Sequence, residues 1–433
     1  MKIKTDLKIN LNHFSKSLIY VQFIYVCIVR LLVEVGFPDS ITLICDMINV
    51  VLLVSMVIHY MNIKEGLELC RGYILISILF FVLGTFSALL YGFHAVQWLW
   101  SVRNFGRFGA FFIACCAFLE KKDLIRIKRI FYYLSHINFI LAIFQFFILH
   151  KSGDYIGGLF GTTGGTANTW MNVFLVVVAI TQLSEWLVAP KGKTSHLVVA
   201  LIEGIGIAII AELKFYFIEI ALLTAVGVIL ANKTRKIFEK LLIIICFGVV
   251  ALSISAPLLY KLFPNFENFF SLEVIIRTAT SSYTGTGDLG RATAIFEIAE
   301  KIFKYDFFKV LFGIGLGNGE YSGGHAILQS EFYVQYMYTN YFWFSDAVVM
   351  IQNGLIGIIL YVFSICSLIR KSIFKFYRSK HWCEMELGGV LTVLAGIMLF
   401  VYNISLNTES AYIYYLLLSF CVISRKRNRK EMK

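Results

Sequence analysis

The chain has 433 residues, of which 58% are hydrophobic and only 15% charged, and its mean hydropathy is +0.76. A soluble domain of this length would carry roughly a quarter charged residues, so this composition excludes a soluble globular protein. The net charge of +12 would suggest nucleic-acid binding in a soluble protein. In a membrane protein, basic cytoplasmic loops explain the same excess, so we expect no nucleic-acid partner.

Long apolar runs recur along the chain, each of the length needed to cross a hydrocarbon core about 30 Å thick. Because backbone groups in lipid are satisfied only in helices or closed barrels, and the alternation typical of barrels is absent, we predict an all-α polytopic membrane protein. Residues 1–433 are predicted to form a single integral membrane domain. The twelve predicted transmembrane helices are 18–37, 40–60, 72–93, 96–118, 130–150, 168–189, 196–211, 214–231, 241–259, 347–369, 386–403 and 409–423.

The distribution of Lys and Arg predicts the orientation of these spans. With the N-terminus inside, the predicted inner segments hold 28 of the 39 basic residues, whereas the outer segments hold eight. Cytoplasmic loops collect Lys and Arg, so both termini are predicted to be cytoplasmic. The one long polar interval, residues 260–346, is then a large extracytoplasmic loop. Within it, the apolar spacing over Leu289–Leu311 predicts an amphipathic helix on the membrane surface.

Two groups of charged residues lie in or beside the predicted spans. Arg103 and Arg107 are four residues apart, so they share one face of the fourth span. Burying each in lipid costs at least about 2.5–3.5 kcal/mol, which indicates either an anionic partner or an internal ion pair with another span. Lys214 and Glu212 lie in the short hairpin between the seventh and eighth spans. They could pair with each other or extend to the membrane interface, and Lys214 gains a functional role if it faces the same cavity as the arginines.

The predicted outer loop holds two further cations and two candidate general bases. Arg277 and Arg291 either grip phosphate oxygens bidentately or are solvated. Activating a sugar hydroxyl requires a group with a free lone pair near the acceptor oxygen, and His325 or Asp346 could serve. Each also has a structural explanation, since acidic residues such as Asp346 are favoured where a helix begins.

The glycine-rich run at residues 313–319 resembles a nucleotide-binding loop only superficially. No βαβ unit surrounds it and no Lys-Ser/Thr pair follows it. We therefore predict that Gly313, Gly315 and Gly317 permit a tight turn or a close backbone approach to a ligand. The eight histidines are scattered and no metal-binding motif occurs, so we expect neither a metal nor another cofactor.

Four stretches between residues 158 and 361 together resemble the O-antigen ligase and polymerase superfamily, which includes the Wzy-type polymerases. They are a glycine-rich turn that ends in Asn168, the hairpin Ala211-Glu-Leu-Lys214, the unit from Arg291 through a helix to Gly313-Ile-Gly-Leu-Gly-Asn318, and Gln352-Asn-Gly-Leu-Ile-Gly357 at the opening of a span. Ligases usually place a His just before that span. Here Trp343-Phe-Ser-Asp346 stands there, which fits the polymerases better.

The resemblance implies a GT-C-like glycosyltransferase in a bacterial cytoplasmic membrane. Its donor would be an oligosaccharide on undecaprenyl pyrophosphate at the outer leaflet. Metal-independent inverting transfer to a second lipid-linked glycan would build O-antigen, capsule or exopolysaccharide. The lipid bilayer, a chain-length regulator and a flippase are the implied partners.

The same resemblance, with the need to stabilise a leaving pyrophosphate by fixed cations, assigns the site residues. The predicted pyrophosphate-binding residues are Arg103, Arg107, Lys214, Arg277 and Arg291. The predicted catalytic residues are Asp346, His325 and Arg291, and the supporting residues are Glu212, Asn168, Gly313, Gly315 and Gly317. Two alternatives remain: a ligase that moves the glycan to another acceptor, and a lipid-linked-oligosaccharide flippase or transporter, which should show repeat symmetry.

Overall fold

A computed structural model describes residues 2–165, 167–189, 193–231, 280, 287–322, 325–379 and 382–426. The predicted ninth span at 241–259, the first part of the predicted outer loop and Arg277 lie outside these residues. Within the described part of the chain, every regular element is helical and no strand occurs. The all-α prediction is therefore confirmed for these residues.

The helices of the first half run from the N-terminus to Ala231. They are α1 (Lys2–Glu34), α2 (Ile44–Ile58), α3 (Tyr60–Leu69), α4 (Arg71–Tyr91), α5 (Ala95–Phe118), α6 (Lys121–Phe147), α7 (Ala167–Val188), α8 (Thr194–Ile210) and α9 (Lys214–Ala231). In the second half, three short helices precede three long ones. They are α10 (Ala294–Glu297), α11 (Phe307–Phe312), α12 (Glu331–Tyr336), α13 (Ser345–Ser379), α14 (Glu384–Tyr402) and α15 (Ala411–Ile423).

Eight of the described helices are long and apolar enough to cross a membrane: α1, α2, α4, α6, α7, α9, α13 and α14. Two others, α8 and α15, are apolar but have only 17 and 13 residues. Helix α5 has 24 residues, but Arg103, Asn104 and Arg107 make it more polar than the eight. The chain is thus a multi-pass α-helical membrane protein, and fewer helices meet this standard than the twelve predicted spans.

The long helices alternate in direction, which gives the bundle two distinct ends. At one end, which we call the loop end, the first turn of α13 meets the end of α14, where Ser345 Oγ donates to the Asn403 carbonyl over 2.8 Å. At the opposite end, the basic end, Lys16 pairs with Glu120 over 3.0 Å and Lys426 donates to the Leu119 carbonyl over 2.8 Å.

Helices α7 and α15 lie at the centre of the bundle. In the most apolar 18-residue stretch of α7, 89% of the residues are buried inside the protein. All thirteen residues of α15 are buried. Both helices therefore contact protein on every side. The outer helices α2, α4 and α9 expose large apolar side chains such as Val57, Leu89 and Ile229, as expected for surfaces that face lipid.

The glycine-rich run packs against a break in α13. Gly354 has φ 64° and ψ −167°, so it interrupts the helical hydrogen bonds and frees two carbonyl groups. Ile314 N donates to the Ile351 carbonyl over 2.8 Å, and Gly315 N donates to the Gln352 carbonyl over 2.9 Å. This pairing ties the segment after α11 into the loop end of the bundle.

The predicted amphipathic helix over Leu289–Leu311 is wrong as a continuous element. Helix α10 passes into a π-helical turn at Ile298–Ile302, and the chain then reverses through Lys304 and Tyr305, whose φ angles are 51° and 56°. Helix α11 begins afresh after Asp306, which accepts from two backbone amides. Leu289, Ile298 and Phe303 of this segment are buried in one cluster with residues from the first turns of α13, whereas Phe296, Phe307 and Phe308 are exposed.

Candidate functional site

A buried loop enters the loop end of the bundle between α6 and α7. Residues 156–161 of this loop are all buried, and two amide side chains of α6 satisfy their backbone. Gln145 Oε1 accepts from Gly158 N over 2.7 Å, and Asn138 Oδ1 accepts from Leu159 N over 2.9 Å. The glycine-rich turn of the sequence is therefore a buried loop, and glycine is needed at residue 158 because a Cβ would lie 2.3 Å from Asn138 Oδ1.

A second polar turn, residues 403–410, lies where α14 passes to α15, and four of its eight residues are buried. Ser405 and Ser410 are fully buried, and Ser410 Oγ donates to the Ser405 carbonyl over 3.0 Å. Because this turn lies inside the bundle, α15 begins there and is only thirteen residues long. The turn carries Glu409 to the level of Arg107, which lies about 18 Å along α5 from its start.

Arg103 and Arg107 form ion pairs within the protein. The Arg103 guanidinium binds the Asp46 carboxylate of α2, with Nε 3.1 Å from Oδ2. Arg107 Nη1 lies 3.0 Å from Glu409 Oε1 and 3.9 Å from Asp46 Oδ1. Of the two explanations that the sequence left open, the structure therefore shows the internal ion pairs. We call these four residues the Asp46–Glu409 network.

Part of the segment before α12 covers this network. Asn104 accepts from Arg103 Nη1 over 2.8 Å and donates to Glu320 Oε1 over 2.7 Å. Glu320 is only 3% exposed, and this burial raises the pKa of its carboxyl to about 7, against hydrogen bonds from Asn104, Ser101 and Gln352 that lower it. A buried acid thus bonds to Asn104, the residue that also bonds to Arg103 of the network.

Three of the separated stretches meet around the ring of Tyr402, the last residue of α14. The Arg291 guanidinium lies over this ring, 4.7 Å from its centre, and also hydrogen-bonds to the phenol. Phe215, next to Lys214 in the α8–α9 hairpin, stacks on the opposite side with centroids 4.0 Å apart. Asp154, in the buried loop, acts electrostatically on the same phenol. We call Arg291, Phe215, Asp154 and Tyr402 the Tyr402 corner.

The predicted supporting residues border this corner. Asn168 Nδ2 hydrogen-bonds to Asp154 Oδ1, and the Glu212 carboxyl lies against Gly153, 3.5 Å from the position that a Cβ would occupy there. Glu212 has φ 53°, the left-handed conformation that closes the hairpin before Lys214. The structure therefore brings Asn168, Glu212, Lys214 and Arg291 to one place, although they are far apart in sequence.

Arg30 of α1, which the sequence did not indicate, lies near the Asp46–Glu409 network and pairs with Asp39, with Nη1 3.6 Å from Oδ1. Its guanidinium lies 5.0 Å from the centre of the Trp170 ring in α7, and its charge acts on Glu409. Arg30 Nε, Arg107 Nε and Trp170 Nε1 are buried and have no hydrogen-bond partner in the described part of the chain. Buried donors of this kind normally have acceptors, so an anionic or polar ligand could satisfy them.

The two candidate bases lie in different environments. Asp346 is 2% exposed in the first turn of α13, and its Oδ1 accepts from Ala347 N over 2.8 Å. Its neighbour Ser345 bonds to Asn403, which follows Tyr402, so Asp346 borders the Tyr402 corner. His325 is exposed, and its segment is attached to the start of α5 by a hydrogen bond from Gln97 to the Ile327 carbonyl. The structure does not bring His325 to the corner.

Three glycines of the run approach protein backbone closely. A Cβ on Gly313 would lie 2.5 Å from Asn353 N, one on Gly315 would lie 2.1 Å from Ala88 N, and one on Gly317 would lie 2.6 Å from Trp98 N. All three have positive φ angles. The predicted close approach is therefore present, but it is made to helices α4, α5 and α13 and supports the fold.

The Tyr402 corner combines the Arg291 guanidinium with the aromatic faces of Tyr402 and Phe215. Within the described residues, no group of three or more His, Cys, Asp or Glu side chains could hold a metal ion. The sequence indicated Arg291, Lys214 and Asn168, whereas Asp46, Asp154, Glu320, Tyr402 and Glu409 were missed. Four of these five are acidic residues in or beside apolar helices, and intramembrane charge is the signal that could have identified Asp46.

Comparisons of the chain with protein-family models, with curated proteins and with solved structures gave no match.

Proposed function

We propose that this protein is a membrane glycosyltransferase that polymerises oligosaccharide repeat units carried on undecaprenyl pyrophosphate. In the proposal it works at the outer face of a bacterial cytoplasmic membrane and builds O-antigen, capsule or exopolysaccharide. The observation that carries the proposal is the Tyr402 corner, where several of the stretches that together resemble the O-antigen ligase and polymerase superfamily meet. These stretches supply Asn168, Phe215 beside Lys214, and Arg291.

The ion pairs change which cations we assign to the pyrophosphate. Arg103 and Arg107 already have carboxylate partners, so we assign them to holding α2, α5 and the buried turn together. Arg291, which lies at the Tyr402 corner, and Lys214, which is next to Phe215 there, are the phosphate ligands that we propose among the described residues. Fixed cations there would stabilise the negative charge that develops on a leaving pyrophosphate without a metal.

The acceptor hydroxyl needs a base, and we assign this role to Asp346 rather than His325. Asp346 borders the Tyr402 corner through Ser345 and Asn403, whereas His325 belongs to the segment over the start of α5. In the proposed reaction, Asp346 acts in its ionised form: the acceptor oxygen attacks the anomeric carbon, its proton passes to the Asp346 carboxylate, and the bond to the pyrophosphate oxygen breaks on the opposite face. That displacement inverts the anomeric configuration.

The proposal is tested by reconstituting the purified protein in liposomes with purified lipid-linked repeat units. Growth of the glycan on its lipid, without a second protein, is the expected result. Transfer only to a different acceptor would instead identify a ligase. Movement of the lipid between leaflets without any new glycosidic bond would identify a flippase and overturn the proposal.

A further inference from the structure

Glu219 is a buried acid that the proposed reaction does not use. It lies in α9, is fully buried, and accepts one hydrogen bond, from Asn172 Nδ2 of α7 to its Oε2 over 2.9 Å. Among the described residues, no Lys, Arg or His forms a salt bridge with it. An ionised carboxylate buried without a cation is strongly disfavoured, because nothing replaces the water that it loses.

Each of the two side chains also leaves one acceptor oxygen without a hydrogen bond. Glu219 Oε1 and Asn172 Oδ1 are both buried and have no hydrogen-bond partner in the described residues. Two acceptor oxygens cannot bond to each other, and each unsatisfied buried group costs about 1–3 kcal/mol. A single proton on the carboxyl removes this difficulty, because a carboxylic acid is a donor as well as an acceptor.

We infer that Glu219 is a proton-binding site, occupied at neutral pH, in which the acid and the Asn172 amide form a pair joined by two hydrogen bonds. The amide donates to one carboxyl oxygen, and the protonated oxygen donates back to the amide oxygen. If the amide N and O of Asn172 are exchanged, the pair still needs one proton on the carboxyl to form two hydrogen bonds.

The groups that face Glu219 are consistent with a neutral acid. Tyr216 of α9 and Tyr402 of α14 interact with it electrostatically, and both are phenols rather than cations. Facing α9 from α8, Gly204 makes room for the Tyr216 hydroxyl. Arg291 and Asp154 act on Tyr402 from the loop end. The protonated pair therefore joins α7 to α9 just below the Tyr402 corner and adds no negative charge to it.

Glu219 is thus a positioning residue that holds the start of α9, with Lys214 and Phe215, against α7. The inference goes beyond the proposed function, because it requires only the helical bundle and no glycan substrate. A test that reads the proton directly therefore succeeds or fails independently of any transferase activity.

The test is infrared difference spectroscopy of the reconstituted full chain at pH 7, comparing the native protein with Glu219→Gln. We expect the native protein to show a protonated-carboxyl stretch that is lost in E219Q and displaced in Asn172→Leu. Glu203 is the matched control, because it is a buried acid of α8 that bonds to His136 and to Ser135. Glu203→Gln should leave the Glu219 stretch in place. Loss of ionised-carboxylate bands in E219Q would overturn the inference.

Thermal unfolding of the same variants gives a second readout. Glutamine reproduces both hydrogen bonds of the neutral acid, so E219Q should unfold at a temperature no lower than the native protein, whereas Glu219→Leu should unfold several degrees lower. If E219Q is as unstable as E219L, then Glu219 acts as an ionised group and the proton site does not exist.

Discussion

At the scale of single residues, the buried charges of the Asp46–Glu409 network decide how the loop end is held. Arg107 side-chain exposure is 6% and that of Glu409 is 13%, so each depends on the other for compensation. A buried ion pair contributes little net stability relative to apolar residues of the same size, but removing one partner leaves an uncompensated charge. This asymmetry makes the pair testable.

Arg107→Ala should lower the free energy of unfolding by about 3–5 kcal/mol, because Glu409 loses its closest cation. Replacing both residues, as in R107L/E409L, should recover most of that loss. Unfolding titrations in detergent micelles measure both effects. Unchanged stability in the single variant would show that Arg107 is not committed to an internal pair and is available to a ligand.

Glu320 predicts a pH dependence. Burial raises the pKa of its carboxyl to about 7, whereas the unfolded value is about 4.3. Between these pH values the folded protein keeps the proton and the unfolded chain releases it. The free energy of unfolding should therefore fall as the pH rises from about 4 to about 7 and level off above that range.

The melting temperature as a function of pH measures this effect, and Glu320→Gln should flatten the slope. Glu297 is the matched control of opposite sign. Burial raises the pKa of its carboxyl, but hydrogen bonds from Lys301 and Thr293 outweigh burial and lower it. In the native protein, the ionised Glu297 carboxyl therefore contributes to the free energy of unfolding above about pH 4, and this contribution is lost as the pH falls. Glu297→Gln should lack this acid-sensitive contribution. An unchanged slope in E320Q would contradict the assignment.

At the scale of elements, the sequence predicted most helices because apolar length is a local property. It predicted the α8–α9 hairpin, where α8 ends at Ile210 and α9 begins at Lys214. It failed for Leu289–Leu311, where a helical spacing is broken by two residues with positive φ. It also failed to predict the break at Gly354, because that glycine is explained by the backbone of Leu311 and Phe312, which come within 2.5 Å of the position of a Cβ there only in the fold.

Gly315→Ala tests the packing of the glycine run. Its φ is 101° and a Cβ would lie 2.1 Å from Ala88 N, so the substitution must displace the segment from α4. The variant should fold poorly or melt many degrees lower. Gly165→Ala is the control, since Gly165 also has a positive φ of 74° but nothing within 4 Å. It should cost only about 1–2 kcal/mol. Equal effects of the two variants in a thermal-shift assay would contradict the packing explanation.

At the scale of the whole molecule, the sequence predicted the class of protein and part of the site. Hydropathy indicated a helical membrane protein, and the resemblance selected Asn168, Lys214 and Arg291 before their proximity was known. The ion partners of Arg103 and Arg107 could not be predicted, because pairing between α2, α5 and the turn after α14 depends on tertiary packing. The role of Tyr402 could not be predicted either, because in the sequence it is an ordinary aromatic residue at a helix end. Only the fold places Arg291 and Phe215 against its ring.

The segment that carries Arg291 is attached to the helical bundle near the Tyr402 corner, as the proposed reaction requires. Leu289 N donates to the Thr339 carbonyl over 3.0 Å, so the segment that carries Arg291 is anchored to the chain just before α13. The turn that carries Arg291 is thereby tied to the chain that leads into α13, the helix of Asp346. Such preorganisation is what stabilisation of a leaving pyrophosphate requires.

Chain growth by the Arg291→Ala variant tests the central claim most directly. The reconstituted variant should insert and melt like the native protein but form no polymer from lipid-linked repeat units. Lys301→Ala is the control, because Lys301 is an exposed cation of the same segment that pairs with Glu297 over 2.7 Å, and it should polymerise normally. Polymer of native length and amount from R291A would contradict the account.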